Sequence, residues 1–167
     1  SMHQYGIHIL CITETHIEDS YQLRTDDGYF VFYSGNNTES PSHSGVGFII
    51  APSTISSVIG CRPISNRLCS LKLRVTHGVI GIICAYAPHN GHSLILRQQF
   101  FDSLEVAYNT LSVNGPKIIL GDLNARLHYR LANEHHILGS KCFGDASASF
   151  SVSNNRSLLM EICESLN

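Results

Sequence analysis

A carboxylate and an amide follow directly after a short apolar run in the segment Gly121-Asp122-Leu123-Asn124. The run itself, residues 117–121, is bounded by glycine and predicts a buried strand. Asp122 and Asn124 are two residues apart, so their side chains would point to the same side of an extended segment. Buried polar groups cost free energy unless they are paired. The two side chains therefore either form an Asx turn that closes a strand or belong to a site.

Two other apolar segments end in residues that could do chemistry. Residues 7–13 are apolar and β-branched, which predicts a strand, and Glu14 follows them. Residues 79–85 predict another strand that ends in Tyr86. The simpler interpretations are that Glu14 only closes its strand and that Tyr86 is an ordinary aromatic of a sheet. Three strands with polar ends favour a shared site, because sites in layered α/β proteins collect at strand ends.

These strand ends supply groups that suit the cleavage of a phosphoester. Mg²⁺ prefers carboxylate and amide oxygens and keeps several waters, and it can polarise a phosphoryl oxygen. Asp122 could orient or deprotonate an attacking water, and Asn124 could donate to a phosphate oxygen. Tyr86 could donate a hydrogen bond to the pentacovalent phosphorus centre. The residues therefore predict hydrolysis of a phosphate ester.

The other elements predicted from hydrophobic periodicity give an α/β order. Further strands are predicted at residues 28–34, 46–51, 57–62 and 68–75. Residues 93–112 have the spacing of an amphipathic helix, with Ser93 as its N-cap. Residues 125–155 form a polar stretch that predicts a long loop, and residues 157–166 predict a second, short helix.

The composition is that of one globular domain spanning residues 1–167, with 43% hydrophobic and 14% charged residues. A net charge of -2 does not indicate a generally basic nucleic-acid binder, so a phosphate-binding surface would be local. No apolar run approaches the ~20 residues that cross a membrane, and no membrane partner is expected. The six cysteines form no C-x-x-C pair, and we expect them to be reduced in an intracellular protein.

Three motifs, taken in order, resemble the endonuclease/exonuclease/phosphatase superfamily. Leu10-Cys11-Ile12-Thr13-Glu14-Thr15 resembles its metal-binding L-x-x-E-T strand. Cys84-Ala85-Tyr86-Ala87-Pro88 resembles its x-Y-x-P strand, and Leu120-Gly121-Asp122-Leu123-Asn124 resembles its G-D-x-N strand. The last motif alone is weak, and the specificity lies in all three together over residues 7–125. The resemblance implies an α/β fold, a two-sheet α/β sandwich of the DNase I-like type.

Within this superfamily the chain looks most like the apurinic-endonuclease-like domain of non-LTR, LINE-type retrotransposons. Their Asn-x-x-G and L-L-x-x-C signals are similar to Asn154-Asn155-Arg156-Ser157-Leu158-Leu159-Met160-Glu161-Ile162-Cys163, with Ser157 where glycine is typical. The resemblance implies a Mg²⁺-dependent endonuclease, with Mn²⁺ possible in its place. DNA would be its partner and substrate, and its location would be nuclear if it cuts genomic DNA.

By this resemblance the motif residues acquire roles. Glu14 would be the metal ligand and Tyr86 a phosphate-contacting tyrosine. Asp122 would position or activate the nucleophilic water, and Asn124 would contact the scissile phosphate.

Three residues outside the motifs are predicted to bind substrate. His89 or Asn90 stands where some relatives place a phosphate-contacting asparagine. Arg126, in the polar stretch, is a candidate phosphate contact, although cations in loops are more often simply solvated.

The family pattern extends beyond both ends of this sequence, to an initial strand with an asparagine and a terminal Ser-Asp-His. No Asp-His dipeptide occurs here. We therefore expect a sandwich that lacks part of its second sheet, doubtful catalysis, and a homodimer or strand-exchanged oligomer formed through exposed edges. The alternatives are a non-catalytic, domesticated binding or dimerisation module and a phosphoesterase of the superfamily with another substrate, such as RNA or an inositol phosphate.

Overall fold

The computed structural model describes residues 2–17, 19–35, 44–142 and 154–166. Residues 143–153, near the end of the predicted loop, lie outside this description. The chain forms two compact units. The first unit comprises Ser1–Tyr86 and Val106–Asp122, and the second comprises Ala87–Glu105 and Leu123–Asn167.

Both β-sheets belong to the first unit. The first sheet contains β1 (Ile9–Thr13), β2 (Tyr21–Arg24), β3 (Phe30–Ser34) and β4 (Val46–Ile50), in the antiparallel order β1-β4-β3-β2. The second sheet contains β5 (Val58–Ser65), β6 (Leu68–Val75), β7 (Gly78–Tyr86) and β8 (Lys117–Asp122), in the order β5-β6-β7-β8. Only the pair of β7 and β8 is parallel in these sheets, so both strands end at the same edge.

An apolar core lies between the two sheets. Its buried members come from one face of each sheet: Phe32, Val46, Phe48 and Ile50 from the first, and Cys69, Leu71, Leu73, Ile82, Cys84 and Tyr86 from the second. Alternate residues of a strand point to one face, so each sheet presents its apolar face to the other. This arrangement confirms the two-sheet α/β sandwich of the DNase I-like type.

Two α-helices were predicted, and both are present. The first, α1 (Leu94–Thr110), joins β7 to β8 and so makes their parallel pairing possible. Ser93 caps α1 as predicted, because its hydroxyl accepts a hydrogen bond from the amide of Leu96 at 3.3 Å. The second helix, α2 (Asn155–Ser165), begins two residues earlier than predicted. Short 3₁₀ turns cover Pro52–Ser57 and Ala132–Glu134.

The structure corrects three details of the strands. Strand β2 was not predicted, because it has only four residues, all exposed, and an alternation of apolar and polar positions this short is a weak signal. Strand β5 continues to Ser65 instead of ending at residue 62. Strand β6 was predicted to be half-exposed, but Leu68 to Leu71 are all buried. Cys69 and Leu71 face the core between the sheets, and Leu68 and Ser70, on the opposite face, are buried as well.

Within the described parts of the chain, no helix has both the length and the apolar character needed to cross a membrane.

Candidate active site

Tyr86 and Glu14 meet at one end of the sandwich. Tyr86 is the last residue of β7, is only 8% exposed, and donates its hydroxyl hydrogen bond to Oε1 of Glu14. Thr13 pairs with the core residue Val46, so simple alternation would turn Glu14 away from the core. Glu14 instead has a left-handed backbone with φ of 55°, which is uncommon for a residue with a side chain. The backbone turn therefore breaks the alternation and directs the carboxylate to the tyrosine.

Asp122 lies beside Tyr86 through the register of the parallel strands. The two residues are Cα partners and are the last residues of β8 and β7. Gly121, just before Asp122, has φ of 126°, and a Cβ atom there would collide with the carbonyl oxygen of Ala85. Only glycine allows this close approach and this backbone conformation. Glycine at this position thus lets β8 place Asp122 against the end of β7.

Arg67 is a fourth member of this group that the sequence interpretation did not include. Its Nη1 donates to the carbonyl oxygen of Tyr86 at 3.2 Å, and its guanidinium carbon lies 4.9 Å from the centre of the tyrosine ring. The amide of Tyr86 donates in return to the carbonyl of Arg67 at 2.9 Å. A signal was available, because β6 and β7 form an antiparallel pair in which Leu68 is opposite Ala85. Continuing that register by one residue puts Arg67 opposite Tyr86.

The electrostatic environment keeps the Tyr86 hydroxyl protonated. Burial raises the pKa of Tyr86, and the hydrogen bond to Glu14, the charge of Glu14 and the charge of Asp122 raise it further. The positive charge of Arg67 acts in the opposite direction on the same pKa. Burial lowers the pKa of Arg67, whereas its interactions with Tyr86 raise it. Tyr86 is therefore a hydrogen-bond donor at neutral pH and not a base.

The donor atoms around Tyr86 suit a hard cation. Glu14 and Asp122 both adjoin the tyrosine, and both are exposed to solvent. Among the described residues, no group of three or more His, Cys, Asp or Glu side chains is placed to hold a metal. Zinc sites usually need three or four such ligands, whereas Mg²⁺ is commonly held by one or two carboxylates with waters completing its shell. Two exposed carboxylates are a donor set that Mg²⁺ accepts.

Asn124 and Asn90 belong to the second unit. Asn124 donates from Nδ2 to the carbonyl oxygen of Ala87 at 2.8 Å. Its backbone is left-handed, with φ of 46°, so the segment is not extended through Asn124. The extended conformation on which the predicted common side of Asp122 and Asn124 depended is therefore absent at Asn124. Asn90 uses Oδ1 to accept the backbone amide of Asn155 at 3.1 Å.

His89 and Arg126, the other predicted substrate contacts, are both exposed. His89 accepts the amide of Gly91 at Nδ1 at 3.0 Å, and its ring centre lies 4.2 Å from that of His92. A neutral His89 therefore carries its proton on Nε2. Arg126 makes no hydrogen bond or ion pair with other residues that the structure describes. Its position agrees both with a phosphate contact and with a solvated cation.

The six cysteines are all free thiols, as predicted. Three of them, Cys11, Cys69 and Cys84, lie together between the sheets. Burial raises the pKa of Cys69, and the hydrogen bond with Cys84, together with burial, raises the pKa of Cys11. Hydrogen bonds with Cys11 and Cys69 lower the pKa of Cys84 to about 4.

The two-sheet fold is of the DNase I-like type, and a phenol and two carboxylates lie at one end of it. A family model described as Endonuclease/Exonuclease/phosphatase family matches residues 1–154, and the chain belongs to this family. Members of the family are nucleases and phosphoesterases that generally use divalent metal ions. No curated protein matches the chain.

Proposed function

We propose that the chain is a Mg²⁺-dependent endonuclease domain that hydrolyses phosphodiester bonds of DNA. The observation that supports this most directly is the position of Tyr86, which bonds to Glu14 and stands in register with Asp122. One phenol donor and two carboxylates converge at the ends of strands from both sheets.

In the proposed reaction a water attacks the phosphorus atom while Asp122 accepts a proton from that water. The bond between phosphorus and the leaving alcohol oxygen breaks, and the departing oxygen takes a proton from solvent. Asp122 suits this role because it is exposed and is the last residue of β8.

Tyr86 would donate a hydrogen bond to a non-bridging oxygen of the phosphate. Its raised pKa preserves the donor proton over the neutral range. Arg67, with its guanidinium at the tyrosine ring, places a positive charge close to where the phosphate gains negative charge. Such donors stabilise the transition state more than the ground state, which is the requirement for acceleration.

The amides of Asn124 and Asn90 would hold the phosphate as further donors. Asn124 follows Asp122 by two residues, and Asn90 follows Tyr86 by four. The Nδ2 group of Asn90 makes no hydrogen bond within the described parts of the chain, and it is exposed. The Nε2 proton of His89 is a third donor in the same segment.

Glu14 would hold the divalent ion, with Asp122 as the second carboxylate and Mn²⁺ able to replace Mg²⁺. When bound, the ion would polarise the phosphoryl oxygen and stabilise the leaving oxygen. Glu14 retains Oε2 for this purpose, because the tyrosine hydroxyl bonds to Oε1.

DNA is the proposed substrate class, and a LINE-type retrotransposon is the proposed origin. The segment Asn154-Asn155-Arg156-Ser157 that motivates this origin forms the start of α2. With a net charge of -2, binding would depend on few local cations such as Arg67 and Arg126, so we expect a shallow dependence of affinity on salt.

The test is nicking of supercoiled plasmid with Mg²⁺ by the wild-type chain and by Asp122→Asn. Wild-type nicking that EDTA abolishes, and that Asp122→Asn lacks, supports the proposal. Asp26→Asn is the matched control, because Asp26 is an exposed carboxylate distant in the sequence from Asp122, and this variant should nick like the wild type. Equal nicking by the wild type and Asp122→Asn would show a contaminant and refute the proposal.

Parallel assays separate the other candidate functions. Metal-dependent cleavage of RNA, or release of phosphate from an inositol phosphate, without cleavage of DNA, would assign a different substrate to the same residues. Tight DNA binding with no cleavage under any metal would favour a non-catalytic binding module.

A further inference from the structure

Asn155, the first residue of α2, is buried completely, with 0% of its surface exposed. Its side-chain Nδ2 donates to the carbonyl oxygen of Pro88 at 2.7 Å and to that of Leu123 at 3.3 Å. Its backbone amide donates to Oδ1 of Asn90 at 3.1 Å. One residue thus binds the segment that follows Tyr86 in the chain and the residue that follows Asp122.

Helix capping does not account for this side chain. The N-cap of α2 is Asn154, whose side chain accepts the amide of Ser157 at 3.2 Å. The Asn155 amide group points instead to two carbonyls outside the helix. Its Oδ1 has no hydrogen-bond partner within the described residues, and an unpaired buried oxygen opposes folding. Apolar packing would have been better served by a leucine or methionine.

The three hydrogen bonds fix how two predicted phosphate donors are presented. Because Oδ1 of Asn90 accepts the backbone amide of Asn155, the Nδ2 donor of Asn90 lies at the opposite edge of the planar side-chain amide. The Asn155 side chain acts on the same segment through its bond to the Pro88 carbonyl. The hold on the Leu123 carbonyl fixes the peptide that leads directly into Asn124. Asn124 in turn bonds to Ala87, next to the Pro88 carbonyl that Asn155 also holds.

We infer that Asn155 is a positioning residue that holds the side-chain amides of Asn90 and Asn124 in a fixed arrangement for binding a phosphate. This inference rests on the proposed function, since it takes those two amides to be phosphate donors. Asn155 itself, being fully buried, does not contact the substrate. Its effect is geometric, and misplacement of reacting or binding groups by about 1 Å can reduce a rate by about 100-fold.

The experiment compares Asn155→Asp with Asn154→Ala, using a fluorescent DNA duplex with Mg²⁺. Asp keeps the shape of Asn155 but removes both side-chain donors, whereas Asn154→Ala removes only the helix cap. We expect Asn155→Asp to lower kcat by about 100-fold at a temperature where it is folded. We expect Asn154→Ala to lower the melting temperature and leave kcat unchanged. If Asn155→Asp does not fold, the uncharged Asn155→Ser takes its place.

Amide hydrogen exchange supplies a readout that does not depend on activity. In Asn155→Asp we expect faster exchange in residues 89–92 and 123–125, with exchange in the middle of α1 unchanged. Unchanged exchange in both segments, or an unchanged kcat in a folded variant, would overturn the positioning role. Absence of Asp122-dependent cleavage by the wild type would instead refute the proposed function, while the exchange result would still decide whether Asn155 holds the two segments.

Discussion

The hydroxyl of Tyr86 donates a hydrogen bond to the carboxylate of Glu14, and this bond joins the two sheets at one end of the sandwich. Tyr86 ends β7 in the second sheet, and Glu14 follows β1 in the first. The contact restricts the orientation of the carboxylate and involves its Oε1, so Oε2 is outside this bond. It also explains why a nearly buried phenol ends a strand of the core.

Tyr86→Phe tests the importance of that hydroxyl. The substitution keeps the ring in the core and removes one donor, so we expect kcat for Mg²⁺-dependent nicking to fall by about 100-fold to 1,000-fold. Plasmid nicking time courses measure the change. Tyr5→Phe, at a tyrosine that is 74% exposed, should have no effect. A Tyr86→Phe variant as active as the wild type would remove the phenol from the mechanism.

Arg67→Met tests the cation at the tyrosine ring. Because the charge of Arg67 lowers the pKa of Tyr86, its removal should raise that pKa further. The difference between ultraviolet absorbance titrations of Arg67→Met with and without Tyr86→Phe measures the change. Arg62→Met, at an exposed position of β5, should leave the titration as it is in the wild type. A lower pKa in Arg67→Met would contradict the geometry.

Gly121→Ala tests the close approach of β8 to β7. The positive φ and the collision with the carbonyl of Ala85 should destabilise the chain by at least about 1–3 kcal/mol. Gly60→Ala is the matched control in β5, since a Cβ there meets nothing within 4 Å, and it should change stability by less than about 1 kcal/mol. Urea unfolding measures both. Equal midpoints for the two variants would show that the strand ends adjust freely.

The second unit contains a buried ion pair that makes its stability depend on pH. Arg156 binds both carboxylate oxygens of Glu134, at 2.6 and 2.8 Å, and its guanidinium lies 4.4 Å from the ring centre of Tyr129. The hydrogen bonds from Arg156 lower the pKa of Glu134, although burial opposes them. The carboxylate is thus harder to protonate in the folded state than in the unfolded chain.

The sign of the pH dependence follows. The stabilisation from Glu134 is present above the unfolded carboxyl pKa of about 4.3, and it is lost as pH falls through the lower pKa of the folded state. Glu134→Gln leaves a buried arginine unpaired and should cost about 3–5 kcal/mol at neutral pH. Thermal unfolding between pH 3 and pH 7 should show a smaller loss in acid for Glu134→Gln than for the wild type. Glu164→Gln, at an exposed site of α2, should keep the wild-type profile.

An apolar edge of the second sheet is the basis for a proposed self-association. Ile118 and Leu120 on the edge strand β8 are 39% and 41% exposed, although their partners Ile82 and Cys84 on β7 are buried in the core. We propose that two copies cover these edges mutually, as a homodimer or by strand exchange.

Light scattering coupled to size exclusion should show a dimer for the wild type and a monomer for Leu120→Lys. Val106→Lys, at an exposed apolar residue of α1, should remain dimeric. A wild-type monomer at high concentration would refute the self-association.

The strands that carry the site were predictable because each is a short apolar run with a polar residue at its end. Those runs gave Glu14, Tyr86 and Asp122 their places at strand ends, which the structure bears out. Strand β2 could not be found in this way, since it is four exposed residues long, with no apolar run, and its pairing with β3 defines it. Arg67 and Asn155 were missed for a related reason, because their importance lies in contacts with residues distant in the sequence.

By itself, the sequence determined the family motifs, the order of strands and helix around them, and the residue types available for phosphoester chemistry. Such features depend on local periodicity and on spacing along the chain. Only the tertiary structure decided that Glu14 turns back through a left-handed backbone to reach Tyr86, and that Asn124 leaves the extended conformation. The physical reason is that both backbone conformations are unfavourable in isolation and are retained only where long-range hydrogen bonds compensate for them.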